Sequence, residues 1–431
     1  MKVFLHTFGC KANQYDTEVV RQRLEDAGCA VVASPDAADA AVVNSCAVTH
    51  VGEAKLRTLV RRLARRNPAI RTVVMGCAAA LDDGRLAALP NVAAVVGGGG
   101  ADGAAVASAL GVAPPVPEEG GGALRRFASG SRAWLRIQDG CDEHCTFCAT
   151  VLARGEARSR PGEALVREAA ALAAGHAEIV LTGVHIGAWG RELEPRGSLS
   201  GLVALLLARV PRVRFRLSSL EATEVDEPLA DVMAAAPDRL APHLHAPLQS
   251  GSDRVLKRMG RHWYSAATYR AAVERLAARV SPLGLGADVI AGFPGESEAD
   301  HRATVRLIEQ LPFTYLHVFP YSPRAGTAAP RLGAPPPPAV VRSRGADLRE
   351  LGRAKAAAHR ARRSGAMADL VLEGRRGGMR DALTEDYLAV RLPADAPWVL
   401  GRARLAARLV AAEGGGADGG PGSEAMLAEA S

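Results

Sequence analysis

Six short apolar runs between residues 133 and 322 each carry the chain into a polar or glycine-bearing tip. Ala133 to Ile137 leads into a cysteine-rich run, Glu178 to Leu181 into Thr182-Gly183-Val184-His185, and Arg214 to Leu217 into Ser218-Ser219-Leu220-Glu221. His243 to Pro247 leads into Leu248-Gln249-Ser250-Gly251-Ser252, Leu285 to Ile290 into Ala291-Gly292-Phe293-Pro294-Gly295-Glu296, and Tyr315 to Phe319 into Pro320-Tyr321-Ser322. Helical spacing lies between them, as in Glu163 to Ala174 and Ala267 to Arg279. Repeated strand-then-helix units of this kind predict a parallel barrel or partial barrel, whose chemistry gathers at the carboxyl ends of the strands.

The first of those ends carries Cys141, Cys145 and Cys148 in a C-x3-C-x2-C run. Two CxxC pairs would close a zinc tetrahedron, whereas three thiolates leave one coordination position unfilled. An iron–sulfur cube held by three thiolates keeps one iron open for a small molecule. Buried-core packing or zinc is the alternative, but spacing this tight is seldom needed for packing alone.

A second pattern precedes the first. Val3 to Thr7, Ala40 to Val43 and Arg71 to Met75 read as strands, and Cys10, Cys46 and Cys77 follow them closely. Helical spacing over Gln14 to Ala27 and Glu53 to Arg66 makes this segment a parallel α/β unit. The carboxyl ends of its strands share one edge, where ligands collect. Two readings stay open on the residues alone: a joint metal site, or three small buried residues after strands. Cys29 reads as a plain core thiol.

With 431 residues, 48% of them hydrophobic and 23% charged, the chain has material for two or three domains. The predicted boundaries are an amino-terminal domain over 1–112, a linker over 113–124, a core over 125–350, a small β module over 366–412 and a disordered tail over 413–431. The Pro, Gly and Glu content of Gly111 to Gly122 marks the linker, and the four prolines within Ala334 to Ala339 predict an extended segment. The start lacks the apolar stretch of a signal peptide and no apolar run reaches spanning length, so a cytoplasmic protein without a membrane partner is expected. In a reducing compartment an odd cysteine count points to ligands or catalytic thiols rather than disulfides.

The net charge is +7, from 53 Lys plus Arg against 46 acidic residues. Arginines cluster at Arg57, Arg61, Arg62, Arg65 and Arg66, at Arg154 to Arg160, and at Arg375, Arg376 and Arg380. Such clusters suit a polyanion, with solvated surface as the alternative.

Together these residues resemble the methylthiotransferase family of radical S-adenosylmethionine (SAM) enzymes, over nearly the whole chain. The resemblance rests on the tri-cysteine run with Phe147 before its last cysteine, on Phe8-Gly9-Cys10-Lys11-Ala12-Asn13-Gln14-Tyr15, and on Asn44-Ser45-Cys46-Ala47-Val48-Thr49. It rests also on Leu181-Thr182-Gly183-Val184-His185-Ile186-Gly187, His243-Leu244-His245-Ala246-Pro247-Leu248-Gln249-Ser250-Gly251-Ser252 and Phe319-Pro320-Tyr321-Ser322. The fold implied is α/β: an open parallel amino-terminal domain, a radical SAM partial (β/α) barrel and a small carboxyl-terminal TRAM-like β-barrel. The opening motif is similar to that of the branch acting on threonylcarbamoyladenosine in tRNA.

The resemblance implies two [4Fe-4S] clusters, a SAM-binding one on Cys141, Cys145 and Cys148 and an auxiliary one on Cys10, Cys46 and Cys77. It implies SAM contacts at Phe147, Thr182, Gln249 and Gly292, a tRNA anticodon stem-loop as substrate, an electron donor such as flavodoxin or ferredoxin, and a monomer. The first cluster would cleave SAM to a radical, and the second would present methylsulfide to carbon 2 of adenine. The alternatives are action on isopentenyladenosine in tRNA or on a ribosomal-protein aspartate, and a noncatalytic zinc-stabilised RNA-binding protein. The sequence departs from the family pattern at Ala149, Thr150 and Val151, where two aliphatic residues and a proline are usual, and at Ala78-Ala79-Ala80. A looser loop behind the first trio and less polar surroundings for the second are therefore expected.

Overall fold

The computed structural model describes residues 1–47, 50–97, 103–113, 123–128, 130–411 and 425–430. The amino-terminal domain comprises β1 (Lys2–Thr7), α1 (Lys11–Asp26), β2 (Ala30–Val32), β3 (Ala40–Ser45), α2 (His50–Arg66), β4 (Arg71–Gly76), α3 (Cys77–Ala80), β5 (Val92–Val96) and α4 (Gly103–Ala109). Its parallel sheet has the order β2-β1-β3-β4-β5. The central strand β3 is buried along its whole length, which its sequence explains. Ala41 and Val43 pack with Leu56, Leu59 and Leu63 of α2, while Ala40 and Val42 face Val20 and Leu24 of α1 and Val106 of α4. Alternate residues serve opposite faces, so a strand covered on both sides must be apolar throughout. The order reverses direction at β1 and β3, and the crevice beyond such a switch point is where open α/β sheets bind ligands.

The core runs through β6 (Arg132–Arg136), β7 (Gln138–Asp139), α5 (Thr150–Arg154), β8 (Arg158–Ser159), α6 (Gly162–Ala173), β9 (Glu178–Thr182), α7 (Leu199–Arg209) and β10 (Arg214–Leu217). It continues through α8 (Glu227–Ala235), β11 (His243–His245), α9 (Asp253–Arg258), α10 (Ala266–Arg279), β12 (Gly284–Ala291), α11 (Glu298–Gln310), β13 (Tyr315–Pro320) and α12 (Pro338–Arg363). The parallel sheets β6-β9-β10 and β11-β12-β13 meet through parallel bridges at Phe215/Leu240 and Ser219/His245. Six strands thus form the expected open partial barrel. Leu181, Phe215, Leu244 and Ala287, on the strand faces turned to the helices, share one core with Leu165, Leu202, Leu276 and Ile308 of those helices. Ser198, Asp226, Ser252, Ser265 and Ser297 cap helices by accepting backbone N–H bonds, which fixes where each begins.

Helix α1 joins this core to the amino-terminal domain. Its Tyr15 is buried in the core cluster, donates to Glu168 Oε1 at 3.0 Å, and accepts from Arg160 Nη1 at 2.9 Å. Arg160 also donates to Glu168 Oε2 at 2.7 Å, so this arginine is an internal tie and not a free phosphate ligand.

Four boundaries differ from expectation. The extended segment at Ala334 to Ala339 ends early, because Pro338 opens the 26-residue α12. Proline fits the first helical position, where its missing N–H would have no partner anyway. That helix also crosses the boundary placed at residue 350. Most of the expected linker, 114–122, lies outside the described residues, but Leu124 is already fully buried in the core. The tail expected to be disordered supplies a strand, Met426–Glu429, whose Met426 and Ala428 are buried. Four residues after a glycine-rich stretch carry too little periodicity to be seen; closure of a barrel orders them. Residues 413–424 of that tail lie outside the described residues.

The carboxyl-terminal module comprises β14 (Met367–Arg376), β15 (Met379–Leu383), β16 (Ala389–Pro393), β17 (Arg404–Val410) and β18 (Met426–Glu429), closed in the order β14-β15-β16-β18-β17. Pairing is antiparallel except between β16 and β18. The module docks on the amino ends of the core strands, opposite the cysteines. Fully buried Glu178 accepts from Arg132 Nε at 2.9 Å, Arg214 Nε at 2.7 Å and Arg216 Nε at 2.9 Å. Those arginines reach onward: Arg214 Nη1 donates to Asp369 Oδ2 at 2.9 Å, and Arg216 donates to the carbonyls of Thr384 and Glu385 at 2.9 and 3.0 Å. Tyr387 stacks on His243 with ring centroids 4.3 Å apart.

Candidate functional site

Cys10, Cys46 and Cys77 are distant in sequence, and strand order brings them together. Cys10 is the N-cap of α1, Cys46 follows β3, and Cys77 opens α3 directly after β4. The side chain of Asn13 ties the trio together: its Oδ1 accepts from Cys10 Sγ at 3.2 Å and lies 4.0 Å from Cys77 Sγ. Buried Asn13 is in turn held by Nδ2 bonds to Asn44 Oδ1 at 2.8 Å and the Ser45 carbonyl at 2.9 Å. A Cβ on Gly9 would lie 3.0 Å from Cys46 Cβ, which places the third cysteine against the same loop. Gly76 has φ +92°, and a Cβ there would meet Asn44 Oδ1 at 2.2 Å, so only glycine delivers Cys77 to this position.

The second trio sits on the loop between β7 and α5. Gly140 has φ +70°, and a Cβ there would fall 1.8 Å from the Glu156 carbonyl oxygen. The loop is pinned by Cys141 N to Gly155 O at 3.1 Å, Thr146 N to Met259 O at 2.8 Å and Ala329 N to Thr146 O at 2.7 Å. The segment expected to be loose is the regular helix α5, whose Thr150 N donates to Cys148 Sγ at 3.4 Å.

N–H groups are directed at sulfur in both trios, several in the second and one, from Arg154, in the first. Glu143 N approaches Cys141 Sγ at 3.4 Å, Arg261 Nη1 approaches Cys145 Sγ at 3.6 Å, and Arg154 Nε approaches Cys77 Sγ at 3.3 Å. Burial pushes the Cys77 thiol up to about 11 and the Cys145 thiol up to about 12, against the pull of Arg154 and Arg261 respectively. Burial would lower His185, but Cys141 and Glu224 outweigh it and raise its pKa to about 10. None of the seven cysteines forms a disulfide. Three gathered cysteine sulfurs with N–H groups directed at them fit an iron–sulfur cluster, whose thiolates accept such bonds. Asn13 and Arg154 supply the polarity that Ala78-Ala79-Ala80 does not.

A cavity of about 190 Å³ touches both trios. Cys77 and Ala47 line it from the amino-terminal domain, and Phe147, Cys148, Gln249 and Asp288 from the core. Burial would raise the Asp288 carboxyl, but His245 Nε2 at 3.1 Å and His317 Nδ1 at 3.3 Å hold it well below its usual range. Of the residues expected to contact SAM, Phe147 and Gln249 line the cavity. Thr182 is buried at the end of β9, with its carbonyl accepting from Ile137 N at 2.8 Å, and is not among the lining residues. Nor is Gly292, whose N–H donates to Glu296 Oε2 at 2.8 Å and whose φ is +79°.

Asn13, Arg154, Arg261 and Asp288 escaped the sequence reading. Arg154 belongs to a cluster that reads as suited to a polyanion, but its side chain is only 4% exposed and engaged internally. Its place directly after a cysteine-rich loop was the available signal.

Residues 2–98 match the model described as Uncharacterized protein family UPF0004, and residues 135–308 match the Radical SAM superfamily. The chain is 37% identical to threonylcarbamoyladenosine tRNA methylthiotransferase MtaB of Bacillus subtilis (strain 168), over 77% of this chain and 75% of the relative. It is 33% identical to the tRNA-2-methylthio-N(6)-dimethylallyladenosine synthase of Aromatoleum aromaticum, covering 78% and 79% of the two chains. The fold is similar to that of the radical SAM methyltransferase TsrM from Kitasatospora setae, solved with cobalamin and a [4Fe-4S] cluster (TM-score 0.55, 16% identity, 74% of each chain). No helix among the described residues is long and apolar enough to cross a membrane. Identity of this extent to methylthiotransferases, on a radical SAM core preceded by a matching amino-terminal domain, establishes that the chain belongs to the methylthiotransferase family of radical SAM enzymes, MtaB type.

Proposed function

We propose that this chain adds a methylthio group to carbon 2 of N6-threonylcarbamoyladenosine next to the anticodon of tRNA. The observation that carries the reading is one cavity lined by a cysteine of each trio, Cys77 and Cys148. The target is an aromatic C–H inert to acid–base chemistry, so the hard step is delegated to cofactors. When bound, the clusters and SAM supply a radical and a sulfur donor. The protein's own share is placement. Cys141, Cys145 and Cys148 hold the SAM-binding cluster, and Cys10, Cys46 and Cys77 hold the auxiliary one. Phe147 and Gln249 flank SAM within the cavity, while Thr182 and Gly292 shape the strand ends beneath it. Exposed Arg61, Arg62, Arg65 and Arg66 on α2, with Arg375 and Arg376 at the β14–β15 hairpin, bind phosphates of the stem-loop in a salt-sensitive way. Single-stranded loop bases can be splayed out, which lets the adenosine enter the cavity. A flavodoxin or ferredoxin supplies the electron, and the chain acts as a monomer.

Anaerobic reconstitution with iron and sulfide tests the site. About eight irons per chain is the expected result, two cubes of four; zinc without brown absorbance would sink the enzyme reading. Gly76→Ala should hold about half that iron, because its Cβ displaces Asn44 and with it the Asn13 and Cys77 positions. Full iron content in Gly76→Ala contradicts the auxiliary site. Assaying threonylcarbamoyl tRNA, isopentenyl tRNA and ribosomal protein side by side separates the substrates.

A further inference from the structure

Arg154 closes a charge ring between the two trios. It ends α5, and every arm of its guanidinium is engaged. Nη1 donates to Asp139 Oδ1 at 3.0 Å, Nη2 to Asp16 Oδ2 at 2.8 Å and Asn13 Oδ1 at 3.4 Å, and Nε to Cys77 Sγ at 3.3 Å. Arg136 bridges the same two carboxylates, donating to Asp16 and, at 3.3 Å, to Asp139 Oδ2. Two cations and two anions therefore alternate around a closed ring. Asp16 lies on α1 of the amino-terminal domain, whereas Asp139 immediately precedes Gly140 and Cys141. The ring thus spans from the loop of one trio to a sulfur of the other.

A ring serving only to dock two domains would need oxygen acceptors alone. Here one N–H is spent on sulfur, and three bonds to oxygen fix the guanidinium so that this N–H cannot swing away. A hydrogen bond from a cation favours the more negative partner, and bonds to cluster sulfurs are among the terms that set reduction potential.

We propose that Arg154 is a positioning residue that raises the reduction potential of the centre on Cys10, Cys46 and Cys77 through its fixed bond to Cys77. The proposal rests on the reading that these thiols hold an iron–sulfur cluster. Arg261 stands in the same relation to Cys145, with Glu221 as its counter-ion, so each trio has its own arginine.

The test uses the full chain carrying Cys145→Ala, which leaves one cluster to observe, in a redox titration followed by electron paramagnetic resonance. Arg154→Gln shifts the midpoint to more negative potential, and Arg154→Lys, which keeps the charge without the fixed fork, shifts it less. Arg261→Gln leaves it unchanged. Where Arg154→Gln does not fold, the double variant Asp16→Asn/Arg154→Gln, which removes the cation together with one anion, gives the same reading. An unchanged midpoint, or an equal shift from Arg261→Gln, overturns the proposal. So does loss of the cluster from every Arg154 variant with the fold intact, which would make Arg154 an assembly residue only. Failure of the parent chain to assemble any cluster would instead remove the reading beneath it.

Discussion

Cys145→Ala abolishes SAM cleavage, and Cys46→Ala still cleaves SAM but transfers no methylthio group. The two cysteines belong to different trios, so the substitutions separate generation of the radical from its use. Cys145 is one of three sulfurs on a single pinned loop, and removing it leaves two thiolates for a cluster that needs three. Cys46 follows β3 in the other domain and touches none of that loop's pinning bonds. The expected result is cleavage at background in the first variant and near the parent rate in the second, measured by release of 5′-deoxyadenosine. Full methylthio transfer by Cys46→Ala would show the auxiliary assignment to be wrong.

The second large effect is on stability. Glu178→Ala removes the one carboxylate shared by Arg132, Arg214 and Arg216, and the unfolding free energy should fall by about 3–5 kcal/mol, since fully buried Arg216 loses its carboxylate partner while Arg132 and Arg214 keep only Glu373 and Asp369. Burial pushes the Glu178 carboxyl up, but Arg216, Arg214 and Arg132 outweigh it and hold it well below the usual range. Burial also depresses Arg216, yet a guanidinium keeps its proton throughout the working range, so the ion pair persists. The sign with pH follows. A carboxyl depressed in the folded state contributes stability above its unfolded pKa of about 4.3 and loses it as pH falls through the folded value. Parent and Glu178→Ala should therefore converge in strong acid, as read by urea unfolding at a series of pH values. A constant gap would contradict the ionised pairing. Because Arg214 and Arg216 also hold Asp369, Thr384 and Glu385, the variant should loosen the carboxyl-terminal module first.

The core strands were legible because each apolar run ends at a polar tip, and a strand covered on both faces leaves that mark. The tri-cysteine loop was legible from spacing alone. Convergence of Cys10, Cys46 and Cys77 was legible only as one of two open readings, because it depends on the strand order β2-β1-β3-β4-β5, and nothing local specifies which strands become neighbours. The charge ring was hidden for the same reason. Asp16, Arg136, Asp139 and Arg154 each look like solvated surface charges until two domains meet. Helix α12 was masked by its prolines, and β18 by its brevity.

Nucleoside mass spectrometry of tRNA from cells with and without the gene tests the central claim most directly. Loss of the 2-methylthio form of threonylcarbamoyladenosine, with the unmethylthiolated nucleoside accumulating and the isopentenyladenosine derivative unchanged, is the predicted result. An unaltered threonylcarbamoyladenosine profile, or loss confined to the isopentenyladenosine derivative, would contradict it.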